Sequence, residues 1–263
     1  MQQEWITLAL RHDAARAVLE LRIQQPPLNL LNQEVRRELG SFFLGLPAAT
    51  GVRCVVFASG ERSFCAGADL REYPLRFDPA VARAHVDNAH RMILALVESD
   101  TPVIAALRGP CMGGGLELAL GCGYRIAARS ATFALPEVKR GAWPGTGGIA
   151  LLERLVGPSV ARRLLNTGET LAAADALRLG VVDEVVDDEA MDQRAHALAT
   201  EFAAQPATSV RTMSELLDGA FRAGFREHQH REAECFVRAY QLPAAKEGYQ
   251  AFFEKRAPRW PQP

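Results

Sequence analysis

The chain has 263 residues, of which 48% are hydrophobic and 23% charged, a length and composition that fit one large domain or a core with an appended piece. Its 30 basic and 31 acidic residues leave a net charge of −1, which argues against a nucleic-acid partner. No apolar run approaches the ~18–20 residues that span a bilayer, and the N-terminus has no signal-peptide pattern. We therefore expect a cytoplasmic protein with no membrane partner.

The cysteines and histidines argue against a disulfide framework and against a metal site. The five cysteines are odd in number and show no C-x-x-C spacing, which is typical of reduced thiols. His228 and His230 are two residues apart and lack companion ligands. We expect no bound metal.

Strand and helix patterns alternate along the first part of the chain. Hydrophobic and charged residues alternate over 19–23, which predicts a half-buried strand, and Asn32 is the predicted N-cap of the helix that follows. A long helix that opens with Asp-Pro is predicted over 78–99. Further strands are predicted at 52–57, 102–107, 124–128, 132–135 and 181–186. Helical patterns dominate from Gly147 onward, so we predict an α/β core followed by a helical region.

A run of three glycines, 113–115, joins a predicted strand to a helix that carries Glu117. Glycines permit close backbone approaches that side chains would block, and the free N–H groups at the start of a helix can hold developing negative charge. A tight packing turn with a solvated glutamate explains the same pattern equally well at this point.

A second loop of small residues, 63–70, also follows a buried strand and can bring backbone N–H groups near a ligand. Donors from Ala68 and Gly114 would together form an oxyanion hole for a thioester carbonyl. The simpler interpretation is a compact turn in which Asp69 caps the segment that follows it.

Glu117 and Glu137 are the candidate acid and base. Each follows an element that can place backbone near a substrate, and the stretch between them is mainly apolar. Burial favours the neutral form of a carboxyl group, and a second carboxylate nearby raises one of the two pKa values further. The pair therefore predicts acid–base chemistry on a carbon framework.

Taken together, these segments resemble the enoyl-CoA hydratase/isomerase (crotonase) superfamily over nearly the whole chain. The matching motifs, in order, are Ser63-Phe64-Cys65-Ala66-Gly67-Ala68-Asp69-Leu70, Thr101-Pro102-Val103-Ile104-Ala105-Ala106 running on to Gly113-Gly114-Gly115-Leu116-Glu117-Leu118-Ala119, and Phe133-Ala134-Leu135-Pro136-Glu137-Val138. Their order and spacing make the set more specific than any one motif.

The resemblance implies a spiral of β-β-α turns over residues 1–200, with the CoA and acyl sites, and a C-terminal helical trimerisation region over 201–263. It also implies an acyl-CoA thioester as substrate and a homotrimer or dimer of trimers as the assembly. No separate cofactor is expected, because coenzyme A is part of the substrate.

The site residues implied by the resemblance fall into two groups. The predicted catalytic residues are Glu117, Glu137, Ala68 and Gly114. The predicted CoA-contacting residues are Ala66, Ala68, Asp69, Leu70, Arg71 and Gly114.

Retention of both glutamates favours hydration of a 2-enoyl-CoA. By analogy with the family, Glu137 would deliver or remove the proton at C2, and Glu117 would orient and deprotonate the water that adds at C3. Three other interpretations remain open: a double-bond isomerase that needs chiefly Glu137, another acyl-CoA thioester reaction such as hydrolysis or decarboxylation on the same scaffold, and a non-catalytic RNA-binding relative.

Of the positions that depart from the family pattern, which also include Gly123 and 149–151, two bear on the site. Leu135 stands where some hydratases have glutamine, and Trp143 either packs in the core or walls the acyl pocket.

Overall fold

The computed structural model of the chain describes residues 5–11, 17–46, 51–60 and 62–261. The strands are β1 (Ile6–Arg11), β2 (Ala17–Ile23), β3 (Val52–Ser59), β4 (Val103–Leu107), β5 (Pro110–Met112), β6 (Tyr124–Ala128), β7 (Thr132–Ala134), β8 (Leu171–Ala172) and β9 (Glu184–Val186). The α-helices are α1 (Gln33–Leu44), α2 (Pro79–Val97), α3 (Gly114–Gly121), α4 (Gly148–Thr167), α5 (Ala173–Leu179), α6 (Met191–Ala203), α7 (Ala207–Gln241) and α8 (Pro243–Phe253). Short 3₁₀ helices cover Leu70–Phe77, Pro136–Arg140 and Asp188–Ala190.

Two sheets organise the core. The larger has the strand order β1-β2-β3-β4-β6-β9, and the smaller has the order β5-β7-β8. Strands β2, β3, β4, β6 and β9 run parallel to one another, while β1 pairs antiparallel to β2 at one edge. Parallel strands require crossover connections, and helices in the chain order supply them. The predicted α/β architecture is therefore confirmed.

Local sequence signals account for the ends of two helices. The side chain of Asn32 accepts a hydrogen bond from the N–H of Val35 at 2.8 Å, which caps α1 as predicted. Asp78 caps α2 in the same way, accepting from the N–H of Ala80 at 2.8 Å, and Pro79 occupies the first helical position.

The helical region after α6 packs partly against its own chain. Helix α7 lies against α2, and its side chains Phe225, Phe236 and Tyr240 are buried there. Leu216 and Leu217, nearer the start of α7, are 79% and 77% exposed. The division of the chain into a core with the CoA and acyl sites over 1–200 and a trimerisation region over 201–263 stays a prediction.

Candidate active site

The turn between β5 and α3 places the glycine triplet against the loop that carries Ala68. Gly113 adopts a φ of 53°, in the left-handed region that favours glycine, and its N–H donates to the carbonyl of Ala134 at 2.8 Å. A side chain at Gly115 would overlap the backbone of Cys65. The start of α3 thus reaches this loop because these positions carry no side chain.

Two backbone N–H groups are left without an acceptor at this turn. Leu31 bridges the loop by donating to the carbonyl of Gly67 at 2.8 Å and accepting from the N–H of Asp69 at 3.1 Å. In such a parallel bridge the N–H of Ala68 points away from Leu31. Neither this group nor the N–H of Gly114 has a hydrogen-bond acceptor among the described residues. Unpaired donors of this kind can receive a ligand oxygen.

A cavity of about 310 Å³ lies beside the turn. It is lined by Ala66, Gly67, Ala68, Leu70, Tyr73, Arg76, Met112, Gly113, Ala134, Pro136, Glu137, Lys139, Arg140, Ala142, Gly168, Thr170 and Tyr240. Of the predicted site residues, the structure brings Ala66, Ala68, Leu70 and Glu137 to its wall. Glu117 and Gly114 do not line it.

The carboxyl groups of the two glutamates lie close to two consecutive glycines of the turn. A Cβ atom on Gly113 would lie 2.7 Å from Oε1 of Glu137, and one on Gly114 would lie 3.8 Å from Oε2 of Glu117. Glu117 is 2% exposed, and its Oε1 accepts from the N–H groups of Thr146 at 2.7 Å and Gly148 at 2.9 Å. Its Oε2 has no such donor among the described residues.

The surroundings of both carboxyl groups raise their pKa values. For Glu117 the largest cause is burial, followed by the negative charges of Glu137 and Glu232. For Glu137 the cause is burial, and its Oε2 has no hydrogen-bond partner among the described residues. Each group therefore holds a proton at a higher pH than an ordinary glutamate does, as proton transfer near neutral pH requires.

A third carboxylate, which the sequence patterns do not single out, supports the segment that holds Glu117. Glu232 on α7 is 5% exposed, and its Oε2 accepts from the N–H of Gly147 at 2.9 Å. His90 Nε2 lies 2.8 Å from the same oxygen, and His228 Nε2 lies 3.7 Å from Oε1. Burial acts to raise the pKa of Glu232, but the two imidazoles outweigh it and the pKa is lowered.

The remaining predicted residues have structural partners. Asp69 is buried and caps the following 3₁₀ helix by accepting from the N–H of Arg71 at 3.0 Å, so the capping interpretation is confirmed. The guanidinium of Arg71 also binds Asp69, at 2.6 Å, and the Arg71 side chain is 76% exposed. Contact of either residue with CoA stays a prediction.

Two of the positions that depart from the family pattern pack into apolar surroundings. Leu135 is 4% exposed within the main hydrophobic core. Trp143 packs against a smaller cluster that contains Tyr73, Phe236 and Tyr240, and it is not part of the cavity lining. This favours the core-packing interpretation of Trp143.

Two kinds of feature are absent from the part of the chain that the structure describes. Among these residues, no three histidine, cysteine, aspartate or glutamate side chains group as metal ligands. No helix within the same ranges is long and apolar enough to cross a membrane.

Comparison with known proteins identifies the family to which this fold belongs. The enoyl-CoA hydratase/isomerase family model matches residues 13–263. A probable enoyl-CoA hydratase of Bacillus subtilis is 35% identical over 244 residues, covering 92% of this chain and 95% of that protein. A crotonyl-CoA hydratase of Syntrophomonas wolfei is 32% identical, covering 90% and 91%.

A solved structure agrees with the sequence comparisons. The carnitinyl-CoA hydratase of Mycobacterium avium superimposes with a TM-score of 0.86 at 31% identity, covering 98% of this chain and 99% of that one. The chain belongs to the enoyl-CoA hydratase/isomerase family of the crotonase superfamily, and it is an enzyme of that family.

Proposed function

We propose that the protein is a hydratase that adds water across the C2–C3 double bond of a 2-enoyl-CoA thioester. The observation that carries this proposal is that the buried Glu117 and the half-buried Glu137, whose Oε2 is covered from solvent, have raised pKa values and lie beside the adjacent residues Gly114 and Gly113. Two-acid chemistry at one carbon framework needs such a pair, and the names of the relatives point to the same reaction.

The thioester oxygen would be held by the N–H groups of Ala68 and Gly114. Attack of water at C3 pushes electron density through C2 onto this oxygen, which then carries an enolate-like charge. Backbone donors that have no other acceptor stabilise that charge, and one donor of an oxyanion hole is worth roughly 3 kcal/mol.

Glu117 would act on the water and Glu137 on C2. Oε1 of Glu117 is held by two N–H groups, which leaves Oε2 to accept a proton from the water as its oxygen bonds to C3. Burial raises the pKa of both groups, so the pair can retain one proton, and the reaction uses the state in which Glu137 carries that proton and delivers it to C2. The turnover leaves Glu117 protonated and Glu137 ionised, and proton exchange restores both.

A second candidate reaction is favoured by the cavity itself. Glu137 lines it whereas Glu117 does not, and a shift of the double bond from C3 to C2 needs chiefly one base at Glu137 and the oxyanion hole. The two reactions differ in their need for Glu117, so the Glu117→Gln variant separates them.

The loop over 66–71 and Gly114 would contact the CoA moiety, and no other cofactor is required because the thioester itself activates C2 and C3. A cytoplasmic location stays part of the proposal. Millimolar free CoA should raise the melting temperature, as a ligand of the native state does. No shift would count against the CoA site.

We also propose that copies of the chain associate as a trimer or dimer of trimers through the first half of α7. Met213, Leu216 and Leu217 are exposed there, and Met213 and Leu217 border a groove of about 470 Å³ between α7 and the core. Exposed apolar side chains in one patch are typical of an interaction surface. Phe225, Phe236 and Tyr240, farther along the same helix, are buried in their own chain and do not contribute to this patch.

The reaction is tested with a panel of 2-enoyl-CoA and 3-enoyl-CoA thioesters. Loss of the conjugated thioester absorbance reports hydration, its gain from a 3-enoyl substrate reports isomerisation, and mass spectrometry identifies the product. Hydration of at least one 2-enoyl-CoA at an enzymatic rate is expected. Isomerisation without hydration would favour the second candidate instead.

A further inference from the structure

One buried cation on the cavity wall has no anionic partner. Arg76 belongs to the 3₁₀ helix Leu70–Phe77, lines the cavity that contains Glu137, and is 3% exposed. Its guanidinium lies between two rings, 5.6 Å from the centroid of Tyr73 and 5.6 Å from that of Tyr240. The cation is thus enclosed by the protein beside the cavity, and the Arg76 side chain forms part of the cavity wall.

The hydrogen-bonding capacity of Arg76 is only partly used. Its Nη1 donates to the hydroxyl of Tyr240 at 2.9 Å, while Nε and Nη2 are covered from solvent and have no acceptor among the described residues. No described carboxylate oxygen lies within 4.0 Å of its nitrogen atoms. Burying a charge without an anionic partner is costly, so such a group in a ligand cavity suggests that the ligand supplies the partner.

The carboxylates near Arg76 are committed elsewhere. Asp69 is held by the backbone and guanidinium of Arg71. Glu72 accepts from the N–H of Gln33 at 3.1 Å through Oε1, and its Oε2 lies 3.8 Å from Nη1 of the buried Arg36. Burial, and then the positive charge of Arg76, lower the pKa of Arg36 to about 10. Of these two buried guanidinium groups only that of Arg36 has a described carboxylate within 4.0 Å, which leaves this end of the cavity with surplus positive charge.

We propose that the acyl group of the substrate ends in a carboxylate and that Arg76 binds it. This inference rests on the proposed function, because it takes the 310 Å³ cavity as the acyl site with Glu137 at the reacting carbons. A carboxylate in the cavity draws the guanidinium toward it, since no other acceptor holds Nε and Nη2. Arg presents a planar fork that matches a carboxylate with two parallel hydrogen bonds.

The phosphates of CoA are a less suitable partner for Arg76. They are large and strongly hydrated, whereas Arg76 is enclosed by Tyr73 and Tyr240. Lys139 is exposed at the wall of the same cavity, so a phosphate can meet it without leaving water. The end of an acyl chain is small enough to enter the enclosed part.

The test measures binding of saturated five-carbon acyl-CoA thioesters, which cannot be hydrated, by titration calorimetry. One ends in a carboxylate, one in a methyl group, and a charge-reversed probe ends in a quaternary ammonium. A hydrogen bond to a charged group contributes enough for the carboxylate ester to bind at least about tenfold more tightly than the methyl ester. The ammonium ester should bind more weakly than both. Equal binding of all three would overturn the inference.

Variants assign the preference to Arg76. Arg76→Met, which keeps length and loses the charge, should abolish the preference for the carboxylate ester, and Arg76→Lys should retain part of it. Arg83→Met on the exposed side of α2 is the matched control and should behave as the parent protein. An Arg76→Met protein that folds and keeps the preference would contradict the role of Arg76. Should that variant not fold, the partial preference of Arg76→Lys decides.

Kinetics then separate this inference from the proposed reaction. The five-carbon 2-enoyl-CoA that ends in a carboxylate should have a kcat/KM at least about tenfold above that of its methyl-terminated counterpart, mainly through KM. Hydration of both with equal kcat/KM overturns only the carboxylate site. Preferential binding of the carboxylate ester without hydration of any 2-enoyl-CoA overturns the proposed reaction and supports the site.

Discussion

The carboxyl group of Glu137 is held in surroundings that suit its protonated form. Its Oε2 is buried without a hydrogen-bond donor among the described residues, and burial outweighs the backbone hydrogen bond and the Arg140 charge that favour the ionised form. In the unfolded chain the same group has an ordinary pKa near 4.5, and in the folded protein burial raises that pKa. Active sites keep such unfavourable placements because proton transfer depends on them.

This placement predicts how stability depends on pH. The contribution of Glu137 to the free energy of unfolding is fully present below pH 4.5. It is lost as the pH rises through the raised pKa of the folded state, because the unfolded chain releases the proton of Glu137 at a lower pH than the folded protein does. The amide side chain in the Glu137→Gln variant cannot ionise. The variant's free energy of unfolding relative to the parent should therefore increase by on the order of 2 kcal/mol between pH 5 and pH 8.

Urea unfolding at several pH values measures this difference. Glu189→Gln, which removes an exposed carboxylate, is the control and should give a difference that changes little with pH. Parallel pH profiles for Glu137→Gln and the parent protein would show that burial does not perturb Glu137.

At the scale of elements, α7 meets the loop that leads into α4 along one face. Side chains at Gly145 and Gly147 would overlap Phe236 and Phe225 of α7, so both glycines permit this close packing. Between the two rings Glu232 accepts the N–H of Gly147, while the N–H groups on either side of it in the chain bind Glu117. The helical region thus helps position a carboxyl group of the core.

We predict that Glu232→Gln changes catalysis through Glu117. Loss of the Glu232 charge removes one of the causes that raise the pKa of Glu117, so that pKa falls and the corresponding limb of the kcat–pH profile moves to lower pH. We expect kcat to fall about tenfold while KM changes less, since positioning matters most in the transition state.

Glu227→Gln, on the exposed side of the same helix, is the matched control and should leave the profile in place. A Glu232→Gln protein that is less stable but has an unshifted pH profile would assign Glu232 a structural role only.

Sequence patterns predict the elements with local signals and miss those defined by distant contacts. The caps Asn32 and Asp78 mark α1 and α2 correctly because each bonds to its own helix. The three-residue strand β5 is missed because only its pairing with β7 defines it. The 3₁₀ helix Leu70–Phe77 contains Pro74, which obscures a helical pattern.

The candidate site divides in the same way. Glu117, Glu137, Ala68 and Gly114 are found from motifs, although the geometry that joins them comes only from the fold. Glu232 lies 115 positions after Glu117 in the chain, and Arg76 has no motif of its own. Their roles depend on packing between distant segments, which composition and periodicity do not encode.

At the scale of the whole molecule, the exposed apolar patch on α7 predicts association. Leu217→Glu would place a charge in an interface that we propose to be apolar, so the variant should dissociate to smaller species at micromolar concentration. Light scattering coupled to size exclusion measures the mass. Leu44→Glu, at another exposed site, on α1, is the control and should keep the parent mass. A parent protein that is monomeric at this concentration would refute the proposed assembly.

The central claim is that Glu117 and Glu137 act together in one addition of water, and the hydration rate of amide variants tests it most directly. Glu117→Gln and Glu137→Gln keep the shape of each side chain and remove its proton transfer, so each should still bind CoA esters. Each should lower kcat for hydration at least ~10²-fold, and the double variant should be far less than multiplicatively worse because the residues act as a unit. Full hydration activity in the Glu117→Gln protein would contradict the two-acid mechanism.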